Sequence, residues 1–138
     1  MEVTVSNSAI EIPLQKADAD TRMSKRDAIE RATLYLYKQG YSVEWTSERG
    51  IDIIARSDEG GGTLALVAVQ PFTGKAFPMN PFTDTKAHRN RFYRLTAGAT
   101  RYIARTRYKG LLRLDSVLVR NDGTLDHCRR KPNRVGSY

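Results

Sequence analysis

Two rhythms of hydrophobic and polar positions run along this chain, and the places where one gives way to the other mark its elements. Ser24, with Asp27 three residues on, opens a stretch in which Ala28, Ile29, Ala32 and Leu36 recur at spacings of three and four. That is the repeat of one helix face, and it predicts a helix over 25–39 that Gly40 stops in a left-handed cap. Residues 41–46 then alternate, with Tyr41, Val43 and Trp45 on one side and Ser42, Glu44 and Thr46 on the other, which reads as a strand. Residues 51–55 and 64–69 are short, nearly unbroken apolar runs, as a sheet covered on both faces requires. The Gly-rich stretch 58–62 is the turn between them.

Residues 71–81 are rich in Pro, Gly, Phe and Asn and read as a loop anchored by Phe72, Phe77 and Phe82. A second helix, capped by Thr83 or Asp84, carries His88, Phe92, Leu95, Ala99, Tyr102 and Ile103 on one face and ends at Gly110. Gly98 inside it costs about 1 kcal/mol relative to Ala. A strand over 111–120, the hairpin turn Asn121-Asp122-Gly123 and a returning strand over 124–128 complete the pattern. Helix, three strands, helix and two strands without a repeat make one α/β domain over 24–128. Residues 1–23 form an N-terminal extension in which Pro13 demotes an alternating segment to an edge strand or arm. Residues 129–138 form a basic C-terminal tail.

Composition adds limits. With 40% hydrophobic and 28% charged residues among 138, the chain is globular and long enough for one core. The single Cys128 forms no internal disulfide, and no basic start leads into an apolar stretch that directs secretion, so a cytoplasmic protein is expected. The apolar runs fall far short of the ~20 residues of a membrane span.

Charge changes the picture more. The net charge is +8, yet between residues 85 and 114 stand nine basic residues and no acid, so the rest of the chain is close to neutral. On the second helix Arg94, Arg101 and Arg105 share a stripe, with Lys86 and Arg91 beside it, opposite Phe92, Leu95, Ala99 and Ile103. Solvated helix faces usually mix both signs; a single-sign stripe suits a phosphate backbone, bound in a salt-dependent way without sequence readout. Arg129, Arg130, Lys131 and Arg134 add further donors from the tail. His88 and His127 stand alone in sequence, so they read as packed side chains, and zinc is not expected. The basic neighbours of Cys128 favour its thiolate, although the reading is of a bystander thiol. Trp45 and Tyr35, Tyr37 and Tyr41 read as core.

Asp52 is the other singular residue, an acid within an apolar run. A carboxylate there must be hydrogen-bonded, paired or bound to a metal. Its surroundings, Arg-Gly-Ile-Asp-Ile-Ile-Ala over 49–55, stand between the helix ending in Gly40-Tyr41 and the apolar strand over 64–70. With the long helix opened by Lys86 and the strand Arg-Leu-Asp-Ser-Val-Leu-Val over 113–119, this order resembles the YraN family, related to archaeal Holliday-junction resolvases, across roughly residues 24–120. The resemblance implies a restriction-endonuclease-like fold, a mixed central sheet flanked by helices. In such nucleases an Asp on the second strand, and a Glu two positions before a Lys on the third, hold one or two divalent cations. The metal lowers the pKa of the attacking water and offsets charge on the phosphate, while the Lys orients that water.

Position by position, Asp52 falls on the family's Asp, while Gly50 replaces the Glu of the second-strand pattern Gly-Glu-Ile-Asp. Ala68 stands where the third-strand Glu belongs and Gln70 where the Lys belongs. Ala68 offers no side-chain oxygen to a hard cation, and Gln70 carries no charge. The family's helix Glu has only Asp27 or Glu30 as counterparts, in a different register. The reading is therefore a catalytically degenerate endonuclease-like protein that binds nucleic acid, DNA above RNA, through Lys86, Arg91, Arg94, Arg101 and Arg105. Asp52 and Gln70 are the vestige of the site, and no cofactor is expected. Two alternatives stand beside it. One is an active endonuclease using Mg2+ or Mn2+ at Asp52 with relocated ligands such as Glu30, Glu44 or Asp115. The other is an interaction protein whose basic face meets an acidic partner and is covered by the acidic stretch 18–20. A homodimer stays open.

Overall fold

The computed structural model describes residues 23–58 and 62–136; the alternating arm near Pro13 and the acidic stretch 18–20 lie outside the described residues. The elements are α1 (Lys25–Lys38), β1 (Ser42–Trp45), β2 (Ile53–Ser57), β3 (Thr63–Pro71), α2 (Lys86–Thr106), β4 (Gly110–Val119), β5 (Leu125–Arg129) and β6 (Asn133–Val135). The strands form one mixed sheet in the order β1-β2-β3-β4-β5, with β6 also paired to β4. Among the described residues only β3 and β4 run parallel, and the other pairs are antiparallel. The connection between the two parallel strands is α2, since such strands need a crossover.

The helices cover opposite faces because β3 alternates what it offers. Ala65, Val67 and Val69 join Ile53, Ala55, Val117, Val119 and Leu125 under α1, which contributes Ala28, Ala32, Tyr35 and Leu36. Leu64 and Leu66 join Ile54 and Leu112 under α2, which contributes Leu95, Ala99 and Tyr102. With both faces covered, β3 reads as a continuous apolar run. α1 starts where the Ser24 hydroxyl accepts the Asp27 N–H at 3.0 Å. It ends before Gly40, whose φ of +97° suits glycine.

Several expectations need correction. Asp52 does not lie inside a strand: Glu48 O accepts the Ile51 N–H in a turn, and β2 begins only at Ile53. The cap of α2 is Thr85, whose hydroxyl accepts the His88 N–H, and not Thr83 or Asp84. The helix ends on Arg107 in the left-handed region, at φ 58°. Gly110 is instead the first residue of β4. Arg129 belongs to β5, and residues 133–135 are a strand paired with Gly110, Leu111 and Leu112, so this part of the expected tail extends the sheet.

Gly98 is also more than a weak spot in the helix. A Cβ added there would lie 2.4 Å from Arg49 O, and one added at Gly50, which has φ +89°, would lie 2.2 Å from Arg94 O. Two missing side chains thus let the backbone of residues 49–50 seat directly against α2. Arg101 secures the contact by donating to Arg49 O at 2.9 Å.

Candidate nucleic-acid interface

The same contact decides which arginines of α2 are available. Arg101 Nε reaches Glu48 Oε2 at 2.9 Å and Arg105 Nη2 reaches Oε1 at 3.0 Å. Hydrogen bonds from the two guanidinium groups hold the Glu48 carboxyl below the usual carboxylate range. Glu48 is 53 residues from Arg101 in sequence, so nothing in the helix signalled this partner. Arg113 turns into the core to Asp115. Lys86, Arg94, Arg107 and Lys109 are exposed, and their side chains have no hydrogen-bond or ion-pair partner among the described residues. Arg89 donates to Thr83 O at 3.0 Å and meets no acid.

Lys86 and Arg89 lie in the first turns of α2, and no acid stands in its first turn. The partial positive charge at a helix N-terminus disfavours cations there by about 0.3–1 kcal/mol each. Helix stability therefore does not account for these charges.

Asp52 and Gln70 both lie near the carboxyl end of β3, with no contact between them among the described residues. Asp52 Oδ2 accepts the Val69 N–H at 2.7 Å and lies 3.4 Å from Lys25 Nζ at the start of α1. The half-buried acid thus finds a backbone donor and an ammonium. Across the strand, Ala68 and Gln70 line a small cleft with Ser116, Phe82, Arg91 and Phe92. No carboxylate lines that cleft. A divalent cation of the kind the resemblance implies does not fit these residues. Oδ2 of Asp52 is already engaged, Ala68 supplies no oxygen, and hard cations call for several oxygen ligands. The alternative ligands are no closer to hand: Glu30 pairs with Arg26 at 3.6 Å, Glu44 is exposed on edge strand β1, and Asp115 is wholly buried elsewhere. Among the described residues no group of three or more His, Cys, Asp and Glu side chains stands together to hold a metal ion.

A larger cleft opens at the other end of β3 and β4. It mixes charge signs, with Asp58 beside Arg56, Lys109 and Arg134.

His127 is not isolated. Its Nε2 lies 2.8 Å from Asp115 Oδ2 and its Nδ1 3.0 Å from the Tyr35 hydroxyl. Asp115 also takes both Nε and Nη2 of Arg113 at 2.8 Å, and Arg113 reaches the Tyr41 hydroxyl at 2.7 Å. Burial alone would raise the Asp115 pKa; hydrogen bonds from His127 and Arg113 outweigh it and hold the group below its ordinary value. Burial pushes the Tyr35 hydroxyl up, so it stays protonated beside Nδ1. The network closes one end of the core under α1 and offers no open position to a ligand. His88 is packed, as its place on the apolar face predicts, with Nδ1 2.7 Å from the Thr85 hydroxyl. The Cys128 thiol is shifted up by burial and by Asp126 and Asp115, opposite to what its basic sequence neighbours imply. Tyr35 and Tyr41 are core, whereas Tyr37 and Trp45 are exposed.

Among the described residues no helix is long and apolar enough to cross a membrane. Neither a protein-family model nor a curated protein matches the chain in sequence.

Proposed function

We propose that this protein is a catalytically degenerate relative of restriction-endonuclease-like enzymes that binds nucleic acid, DNA in the first instance, along α2. The observation that carries the reading is the set Lys86, Arg89, Arg91, Arg94, Arg107 and Lys109, spread over one helix and its C-terminal exit with no acid paired to any of them among the described residues. The loss of catalysis is supported by Ala68 and Gln70, which stand where the resembled family has its Glu and Lys, and by an Asp52 already engaged by Val69 and Lys25. Arg101 and Arg105, held by Glu48, contribute less than their place on the stripe suggests.

Fluorescence anisotropy with a labelled duplex tests this. Affinity falls steeply with salt, by about 0.9 in log K per log salt for each phosphate neutralised. Lys86→Glu with Arg94→Glu weakens binding at least tenfold, and the double variant shows a shallower salt slope. Salt-insensitive or absent binding sinks the reading; retention of an acidic protein in its place points to the interaction-protein alternative. Cleavage of the duplex with Mg2+ or Mn2+, lost in Asp52→Ala, would restore the enzyme.

A further inference from the structure

We propose that the cleft at the amino ends of β3 and β4 binds a phosphomonoester of mononucleotide size, held by Lys109 and Arg134 over the Thr63 hydroxyl. The proposal does not rest on binding along α2. The cleft lies at the end of β3 away from Gln70, and its ligand carries a terminal phosphate.

The cleft exists because one row of the sheet lies beyond the core. Ser57, Thr63, Leu111 and Arg134 are partners in register across β2, β3, β4 and β6, so they share one face. The next row inward on that face holds Ala55 and Ala65, which pack under α1, while Leu111 joins the core of neither face. Over this row opens a cleft of about 360 Å³, lined also by Arg56 and Asp58 on one side and by Tyr108 and Lys109 on the other. That volume falls within the roughly 300–1,000 Å³ of small-molecule sites.

Its polar groups are not satisfied from within. Thr63 is only 9% exposed, yet its hydroxyl has no hydrogen-bond partner among the described residues, although buried hydroxyls ordinarily find one. The side chains of Lys109 and Arg134 make no ion pair there, with Asp58 or any other acid. Both cations nevertheless have fixed roots. The Lys109 stem runs close against Gly136, where an added Cβ would lie 2.6 Å from Lys109 Cγ. Arg134 is set by the pairing of β6 with β4. Arg56 donates to the Tyr102 hydroxyl at 3.4 Å and so stays at the edge of the cleft.

Three cations and one carboxylate line the cleft. A phosphomonoester, with a charge of about −1.5 to −2 at neutral pH, answers that excess of two; a carboxylate answers half of it. Donors also arrive from separate strands, which suits the several oxygens of a tetrahedral phosphate, whereas a planar carboxylate suits one guanidinium fork. Asp58 accepts from hydroxyl or amino groups of the ligand's body. Tyr108, whose hydroxyl is fixed on Leu111 O at 2.8 Å, gives that body an aromatic wall.

Amide NMR on the full chain, in EDTA and at constant ionic strength, tests the site with adenosine 5′-monophosphate as probe. The probe is expected to shift the amides of Thr63, Gly110 and Leu111 saturably. Arg134→Gln, at an exposed position outside the core, is expected to weaken it about tenfold or more, as loss of a charged hydrogen bond does. Thr63→Val is expected to weaken it by a smaller factor. Adenosine is expected not to bind; an equal response to it overturns the phosphate assignment. An equal response to inorganic phosphate overturns the size. Oligonucleotides with a 5′-phosphate and with a 5′-hydroxyl are run beside these, and preference for the phosphorylated one supports the same site with a strand end as the source. If neither the monophosphate nor the 5′-phosphate moves these amides, the proposal is wrong. Duplex affinity along α2 enters none of these readings, so the two proposals fail separately.

Discussion

Gly98 shows how one position is priced by two opposed effects. In an isolated helix Gly→Ala gains about 1 kcal/mol. Here the added methyl would meet Arg49 O at 2.4 Å, a backbone atom that cannot swing aside. Overpacking of this kind costs roughly 1–3 kcal/mol, so Gly98→Ala is expected to lower the unfolding free energy, read by urea denaturation. A gain in stability would show that residues 49–50 yield easily. Asp115 sets a second residue-scale test. It is wholly buried between Arg113 and His127, and removing one partner of a buried pair costs about 3–5 kcal/mol. Asp115→Asn should fall in that range. The sign of the pH effect follows from the depressed pKa of Asp115. The stability it contributes is present above the ordinary carboxylate value of about 3.9. It is lost as pH falls through the lower folded value. The variant's stability should therefore vary less with pH below about 4 than the wild type's.

At the scale of elements, α2 is tied at its middle and open at its start. Glu48 pairs with both Arg101 and Arg105 from outside the helix and offsets one of their two charges. Glu48→Gln removes one negative charge and releases two arginines, so duplex affinity is expected to rise severalfold at low salt. Unchanged affinity would mean that the helix contributes only through its first turns. This scale also shows what was legible in sequence. The start of α1 was readable because Ser24 and Asp27 interact across one turn. The faces of β3 needed only the position of its apolar run. The cap of α2 was ambiguous because Thr83, Asp84 and Thr85 are all competent cappers standing side by side. β6 was invisible: three mostly exposed residues, Asn133–Val135, carry no apolar period. The joining of Tyr35 to His127, and of Gly98 to Arg49, depends on chain crossings that no local pattern encodes. In the candidate site, Lys86, Arg91 and Arg94 were legible from charge alone. The pairing of Glu48 with Arg101 and Arg105 was not, because it depends on what lies opposite in space.

Across the whole molecule, charge and packing are divided between the two faces of the sheet. The side under α1 buries one closed network of Asp115, Arg113 and His127, and outside it carries charges of both signs, Arg26 paired with Glu30 among them. The side under α2 turns its cations outward and leaves most of them without acids. The backbone seat at Gly50 and Gly98 has a mechanical meaning for that outer side. A helix notched against its support at two points is held against sliding and rolling, so its outer cations keep fixed places relative to the sheet. A surface frozen before it meets its partner surrenders little freedom on contact. For the nucleic acid proposed to bind along α2, the protein is then a preformed template.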